Sequence, residues 1–252
     1  MAERQIIAMG GGGFSMEPDN LALDRYILAQ TAKENPVVCF VPTASGDSKE
    51  YIARFRRSFA TLPCQPRYLS LFEPPADLEA FVAECDVIYV GGGNTRNLMA
   101  LWREWGLGEL LHGAWERGVV LCGISAGAMC WFEHGLTDSA RALAPIECLG
   151  FLKGSCNPHY DGEAARRPTF HSCILHGTLP TGYGLDDGAA VHFIGEELAH
   201  VVTSRGAARA YRVSLENGDV WERELPALFL ENFPAEDRRS GAKVTPYQRH
   251  HP

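Results

Sequence analysis

Four short apolar runs that alternate with helical segments constrain the fold of this chain more than any other feature. Each run ends in Gly, Pro or Ser, and the segments between the runs have the apolar spacing of helices. Continuous apolar strands that alternate with helices are typical of a parallel sheet covered on both faces. The sequence therefore predicts an α/β fold with a doubly wound, mostly parallel sheet and helices on both faces. The runs are residues 5–10, 36–42, 86–92 and 119–125, and the helical segments are residues 21–34, 50–62 and 97–118.

The chain is long enough to bury one full hydrophobic core. It has 252 residues, of which 46% are hydrophobic, and this predicts a single α/β domain over residues 1–231. Residues 232–252 are polar and contain proline, and we expect them to form a loosely held C-terminal tail. Residues 211–224 alternate in polarity across an Asn-Gly pair, which predicts a β-hairpin. Residues 149–168 are rich in turn residues and predict a long functional loop.

Charge and composition exclude several classes of partner. The net charge is −8, from 23 basic and 31 acidic residues without a basic cluster, so we expect no nucleic-acid partner. The N-terminus lacks the apolar core of a signal peptide, and no run of about 18 apolar residues follows. We therefore expect a cytoplasmic protein without a membrane partner, either a monomer or a homodimer. The eight cysteines include no C-x-x-C pair, and we expect no metal or organic cofactor.

The loops that leave the predicted strands are the place to look for chemistry, because ligands of such sheets bind beyond the carboxyl ends of the strands. The fourth run ends in Gly123-Ile124-Ser125-Ala126-Gly127, which fits the G-x-S-x-G turn that presents a nucleophilic serine. An apolar strand precedes Ser125, and the residues after it can begin a helix, whose N–H groups would stabilise an oxyanion. A turn of small residues without chemistry would have the same pattern.

A nucleophilic serine needs a base and an acid. His159 is the best candidate for the base because it lies in a loop rich in Gly and Pro, which can bring it to the end of a strand. The acid should be a carboxylate that orients the imidazole. Asp138, just past the helix predicted to begin at Ser125, is the first choice, and Glu133 on that helix is the second. Asp161, close to His159 in sequence, fits a substrate-facing or capping role equally well.

Three glycines, residues 91–93, follow the third apolar run. Glycines at the end of a strand let the backbone approach a ligand closely and expose an N–H group. The segment does not match either common phosphate-binding glycine pattern. Asn94, the next residue, is a further candidate for substrate binding.

Three motifs in this order, YVGGGNTRNLMALWREWGL, GISAGAMCWF and NPHYDGE, resemble the dipeptidase E (aspartyl dipeptidase) and cyanophycinase family of serine peptidases. The resemblance covers roughly residues 5–200. It implies a fold similar to class I glutamine amidotransferases, with serine in place of their cysteine. It implies that Ser125 is the nucleophile and His159 the general base and acid, and that Gly93 and Ala126 supply the oxyanion-hole N–H groups.

The resemblance also bears on the substrate. In dipeptidase E an arginine just after a Gly-Glu pair recognises the aspartate side chain of the substrate. Here Arg166 and Arg167 stand one or two places later than that pattern requires, so they are candidates for binding a substrate carboxylate.

The sequence therefore predicts a serine exopeptidase that hydrolyses short peptides, with an N-terminal aspartate as one candidate specificity. The alternatives are a peptidase of cyanophycinase-like or neutral specificity and a catalytically silent relative that binds a peptide or an amino acid. A glutamine amidotransferase is disfavoured because the turn holds serine and not the more nucleophilic cysteine.

Overall fold

The computed structural model describes residues 3–230, which form two sheets and eight helices. The strands are β1 (Gln5–Met9), β2 (Val37–Val41), β3 (Gln65–Tyr68), β4 (Val87–Val90), β5 (Val120–Ile124), β6 (Phe132–Thr137), β7 (Ala144–Glu147), β8 (Leu152–Asn157), β9 (Gly182–Leu185), β10 (Ala189–Ile194), β11 (Glu197–Thr203), β12 (Ala210–Glu216), β13 (Asp219–Glu224) and β14 (Leu228–Phe229). The helices are α1 (Gly13–Met16), α2 (Ala22–Ala29), α3 (Lys49–Phe59), α4 (Leu78–Ala83), α5 (Thr95–Glu104), α6 (Leu107–Glu116), α7 (Ala126–Met129) and α8 (Arg166–Leu175).

The main sheet has eight strands in the order β14-β11-β10-β1-β5-β4-β2-β3. Strands β1, β5, β4, β2 and β3 are parallel to their neighbours in this series. Strand β10 runs antiparallel to β1, and β11 runs antiparallel to β10. The four predicted apolar runs are β1, β2, β4 and β5, so this part of the prediction is confirmed.

Helices cover both faces of the main sheet, as the fold prediction requires. Successive residues of a strand point to opposite faces, so Ile6 and Ile7 belong to different core clusters. The cluster of Ile7 includes Tyr26 of α2 and Phe55 of α3. The cluster of Ile6 includes Trp102 of α5, residues of α6, and residues of the second sheet. The doubly wound α/β fold is confirmed.

The second sheet was not predicted. It has six strands in the order β13-β12-β9-β8-β6-β7, with both parallel and antiparallel pairs. Strand β8 occupies part of the segment predicted as the loop 149–168. The hairpin of β12 and β13 is confirmed, and its turn residues Asn217 and Gly218 both have positive φ angles, 53° and 93°.

All of the predicted helices end earlier than the sequence indicates, and two of them differ in more than their ends. The helix after Ser125 stops at Met129, and Glu133 lies on β6, where pairing with β7 and β8 outweighs local helical spacing. The segment 97–118 is divided into α5 and α6 at Trp105 and Gly106.

Within residues 3–230, no helix has both the length and the apolar character needed to cross a membrane. The tail predicted at 232–252 lies outside the described residues.

Candidate active site

Ser125 occupies a sharp turn between β5 and α7. Its φ of 58° and ψ of −114° are strained for a residue with a Cβ atom. The turn is tightly packed, since a Cβ atom on Gly123 would lie 2.1 Å from the carbonyl oxygen of Gly127. The N–H of Ser125 donates to the carbonyl of Met9 on β1, 3.1 Å away. The predicted turn is therefore present, and it holds the hydroxyl group at the carboxyl edge of the parallel strands.

The three-glycine loop after β4 lies directly beside Ser125. A Cβ atom on Gly92 would lie 3.2 Å from the Cβ of Ser125. Gly93 has a φ of 139°, and a Cβ atom there would lie 2.3 Å from the carbonyl oxygen of Ala44, so only glycine fits. The N–H of Gly93 donates to no other described residue. Ala126 is the first residue of α7, so its N–H has no partner within that helix. Gly93 lines the cavity that contains Ser125, and Ala126 follows Ser125 directly in the chain.

His159 follows β8 with a φ of 52° and pairs with Asp187. The distance from His159 Nδ1 to Asp187 Oδ1 is 2.6 Å, and 18% and 13% of the two side chains is exposed. The hydrogen bond from His159 lowers the pKa of Asp187 below its ordinary value, so Asp187 is ionised and accepts the proton of Nδ1. The other nitrogen, Nε2, then remains free to act as a base.

Asp187 is fixed by the backbone around it. Its N–H donates to Asp161 Oδ1 at 2.8 Å. Gly11, which follows β1, forms a bridge with Asp187, and the N–H of Gly188 donates to the carbonyl of Gly11 at 3.0 Å. A Cβ atom on Gly11 would lie 1.9 Å from Asp187 Oδ1. The glycine at position 11 therefore makes the room that this carboxylate occupies.

The carboxylate beside His159 is that of Asp187. The prediction that Asp138 or Glu133 orients the imidazole is therefore wrong. The side chain of Asp138 is 62% exposed and lies 3.7 Å from Arg166. Glu133 Oε2 accepts the N–H of Gly154 at 2.7 Å.

Asp187 was not identified from the sequence, because only the ends of the parallel strands were considered, whereas Asp187 precedes β10, which is antiparallel to β1. The start of an antiparallel strand lies at the same edge as the carboxyl ends of its parallel neighbours. The Asp-Asp-Gly turn at 186–188, between two apolar segments, was the available signal.

Arg166 and Arg167 are engaged elsewhere. Arg166 is 3% exposed; its Nε donates to Glu163 at 2.7 Å and its Nη1 to the carbonyl of Leu136 at 3.1 Å. Arg167 forms an ion pair with Glu222. Neither arginine lines the cavity that contains Ser125, so the prediction that they bind a substrate carboxylate there is not supported by their position.

Asn94 serves as the N-cap of α5. Its Oδ1 accepts the N–H of Asn97 at 2.9 Å, and its Nδ2 donates to the carbonyl of Ser139 at 3.3 Å. Because both ends of the amide are used and Asn94 does not line the cavity, its position explains a structural role and not the predicted contact with substrate.

Ser125 and His159 line one cavity of about 280 Å³. No hydrogen bond joins the two side chains within residues 3–230. The lining residues are Ser15, Met16, Tyr51, Arg54, Gly92, Gly93, Ile124, Ser125 and His159. No cluster of three or more His, Cys, Asp or Glu side chains in this part of the chain is arranged to hold a metal ion.

Tyr51 connects two walls of this cavity. Its hydroxyl group accepts the N–H of Gly92 at 3.3 Å and is hydrogen-bonded to Ser15 Oγ at 2.6 Å. Tyr51 on α3 thereby joins the three-glycine loop to α1, and it limits rotation of the peptide unit between Gly91 and Gly92.

A buried carboxyl group lies behind the wall formed by α1. Asp24 on α2 is fully buried, and its Oδ2 accepts the N–H of Phe14 at 2.8 Å. Burial raises the pKa of Asp24 to about 7, because a charged carboxylate loses its hydration in the core. Asp24 is therefore neutral in the folded protein at acidic pH.

Comparison with known proteins identifies relatives over most of the chain. Residues 6–201 match the model of peptidase family S51. A Bacillus subtilis (strain 168) protein, "Uncharacterized peptidase YgaJ", is 60% identical over 228 residues, which are 90% of this chain and 99% of that protein. The "Probable alpha-aspartyl dipeptidase" of Drosophila melanogaster is 31% identical over 172 residues, 64% of this chain and 70% of that protein.

Solved structures share the fold. The "Crystal structure of a peptidase from an acI-B1 Actinobacterium" has a TM-score of 0.64 and 18% identity, and the match covers 89% of this chain and 95% of that one. A "Putative Peptidase E Protein from Listeria monocytogenes EGD-e" has a TM-score of 0.58 and 18% identity, covering 89% of this chain and 100% of that one.

Proposed function

Because the chain belongs to peptidase family S51, we propose that it is a serine peptidase that hydrolyses short peptides, with Ser125 as the nucleophile. One observation carries the proposal. A serine on a strained turn and a histidine paired with a largely buried carboxylate line the same cavity. This is the arrangement of nucleophile, base and orienting acid that acyl transfer requires.

In the first half of the reaction, Ser125 Oγ attacks the carbonyl carbon of the peptide bond. His159 Nε2 takes the hydroxyl proton, and Asp187 stabilises the imidazolium that forms. The carbonyl oxygen becomes negative and is stabilised by the N–H groups of Gly93 and Ala126. His159 then protonates the leaving amine, and the C–N bond breaks to give an ester on Ser125.

In the second half, water enters the cavity and replaces the amine. His159 removes a proton from this water, which attacks the ester through a second oxyanion. His159 returns the proton to Ser125 as the acid product leaves. The same three side chains therefore serve both halves.

The size of the cavity favours short substrates. At about 280 Å³ its volume is just below the usual range of ligand pockets, about 300–1,000 Å³. We propose dipeptides and other short peptides as the substrates. An N-terminal aspartate, which the name of the Drosophila relative indicates for that protein, is tested against the alternatives by hydrolysis of Asp-Leu, Asn-Leu and Leu-Leu.

The nucleophile is tested by labelling with a fluorophosphonate, which reacts with activated serines, followed by peptide mapping. We expect one labelled serine, Ser125, and no label or peptide hydrolysis in Ser125→Ala. Ser15→Ala is the matched control, because Ser15 lines the same cavity but is hydrogen-bonded to Tyr51 and not to a histidine. The Ser15→Ala variant should still be labelled at Ser125. Hydrolysis by Ser125→Ala at the wild-type rate would show that another group is the nucleophile.

A protein that binds peptides without hydrolysing them is the second candidate. It is favoured by one observation, the missing hydrogen bond between Ser125 and His159 in the described residues. Hydrogen bonds of this kind often tighten only when substrate binds, so the distance in the free protein does not decide between the candidates. A protein that binds dipeptides in calorimetry and leaves Ser125 unlabelled would favour the binding function.

A further inference from the structure

The lining of the cavity has an uneven charge. Among the lining residues, Arg54 is the one that carries a permanent positive charge, and none is acidic. The protein as a whole has a net charge of −8. The charge of the cavity lining, with one cation and no carboxylate, is therefore opposite in sign to the net charge of the protein. A cavity of this kind attracts an anionic group.

Arg54 is held at the cavity wall by a neutral contact. It lies on α3 one turn after Tyr51, so the two side chains lie on the same face of the helix. Its Nη1 donates to the carbonyl of Ser15 at 2.6 Å, and its guanidinium carbon lies 6.0 Å from the centre of the Tyr51 ring. These contacts orient the guanidinium group without neutralising its charge.

The other arginines near the catalytic histidine are already neutralised. Arg166 is paired with Glu163, and Arg167 with Glu222. Arg54 forms no ion pair with any carboxylate of residues 3–230. An arginine has five N–H donors in a planar fork that matches a carboxylate, and the contact with Ser15 uses one of them.

We propose that Arg54 is a specificity residue that binds a carboxylate of the substrate in the cavity of Ser125. The inference rests on the proposed function, and it deepens that function by naming the chemistry of the substrate. The carboxylate has two possible sources, an acidic side chain or the free C-terminus of a short peptide. The C-terminal source would restrict the enzyme to peptides that end within the cavity.

Four peptides separate the two sources: Asp-Leu, Asn-Leu and the C-terminal amide of each. The variant is Arg54→Met, which keeps the length of the side chain without its charge. We expect it to lower kcat/KM about 10- to 100-fold for peptides that carry the recognised carboxylate, the range of a hydrogen-bonded ionic contact. Peptides that lack this group should change by less than about threefold, within the range of a surface substitution.

Matched variants control for indirect effects. Arg57→Met removes an exposed arginine of the same helix that does not line the cavity, and it should leave all four rates unchanged. Arg54→Lys keeps the charge without the fork and should recover part of the loss. If Arg54→Met lowers kcat/KM for all four peptides by the same factor, or for none of them, Arg54 does not bind a substrate carboxylate.

A second experiment separates this inference from the proposed function. Two fluorophosphonates, one ending in a carboxylate and one in a carboxamide, react with Ser125 without peptide hydrolysis. We expect wild type to react faster with the carboxylate probe and Arg54→Met to react with both alike. Equal rates in wild type overturn the role of Arg54 while the nucleophile stands. If neither probe labels Ser125, the proposed function fails, and the inference fails with it.

Discussion

Replacing Asp24 by asparagine is expected to remove a large part of the pH dependence of stability. Asp24 is fully buried and its pKa is raised from the ordinary 3.8 to about 7 by burial. In the unfolded chain the carboxyl group ionises at its ordinary pKa, whereas in the folded protein it stays neutral up to about pH 7. The stability that depends on neutral Asp24 is therefore fully present below the unfolded pKa and is lost as the pH rises through the folded one.

The size of the effect follows from the two pKa values. A pKa difference of one unit corresponds to about 1.4 kcal/mol, so the total change in the free energy of unfolding is about 4 kcal/mol. About 2.5 kcal/mol of this falls between pH 5 and pH 8, where the folded group ionises. Asparagine does not ionise, and its carbonyl oxygen can still accept the N–H of Phe14.

Urea unfolding at pH 5, 6, 7 and 8 measures the effect. Between pH 5 and pH 8 we expect wild type to lose about 2.5 kcal/mol more stability than Asp24→Asn. Asp219→Asn, at the exposed start of β13, is the control and should follow the wild-type curve. If the curves of wild type and Asp24→Asn are parallel over this range, Asp24 is not protonated in the folded state and the reasoning is wrong.

Three further substitutions test the site. Asp187→Asn should lower kcat about 10⁴-fold, as loss of an orienting acid does. Asp138→Asn should change kcat/KM by less than about twofold. A larger loss of activity in Asp138→Asn than in Asp187→Asn would show that Asp138 is the acid. Tyr51→Phe removes the hydroxyl group that accepts the N–H of Gly92, and it should lower kcat up to about tenfold with little change in KM. A change in KM alone would indicate that Tyr51 contacts the substrate. Gly11→Ala should displace the carboxylate of Asp187 and lower kcat about 10²-fold. Gly206→Ala, where the added methyl group meets no atom within 4 Å, should leave activity unchanged. A fully active Gly11→Ala would mean that the carboxylate has room to move.

The parallel part of the fold was predictable because burial on both faces produces a direct signal. Strands β1, β4 and β5 are buried at every position, so their sequences are continuous apolar runs. Strands β6 and β8 of the second sheet mix buried and exposed positions without a regular period. Gly135 and Gly154 also interrupt these two strands, so neither a continuous nor an alternating pattern appears in them.

The candidate site was predictable to the extent that it depends on local turns. Ser125 was identified from the residues on either side of it. His159 was selected from its loop, and the structure brings both side chains to one cavity. Asp187 and Arg54 reach the site through the pairing of β10 with β1 and the packing of α3 on the main sheet. The Asp-Asp-Gly turn marks position 187 in the sequence, but no local pattern shows that either residue reaches the site.

The run of four glycines after β1 has a consequence for altering this protein in the laboratory. Gly10 and Gly11 fit against the chain around Asp187, and Gly13 begins α1, which forms a wall of the cavity. Residues 10–13 therefore connect the backbone around Asp187 to a wall of the cavity, and the first two of them have no space for an added methyl group. A library of variants that seeks new ligands of the cavity should leave residues 10–13 unchanged and vary Met16 and Arg54, which line the cavity.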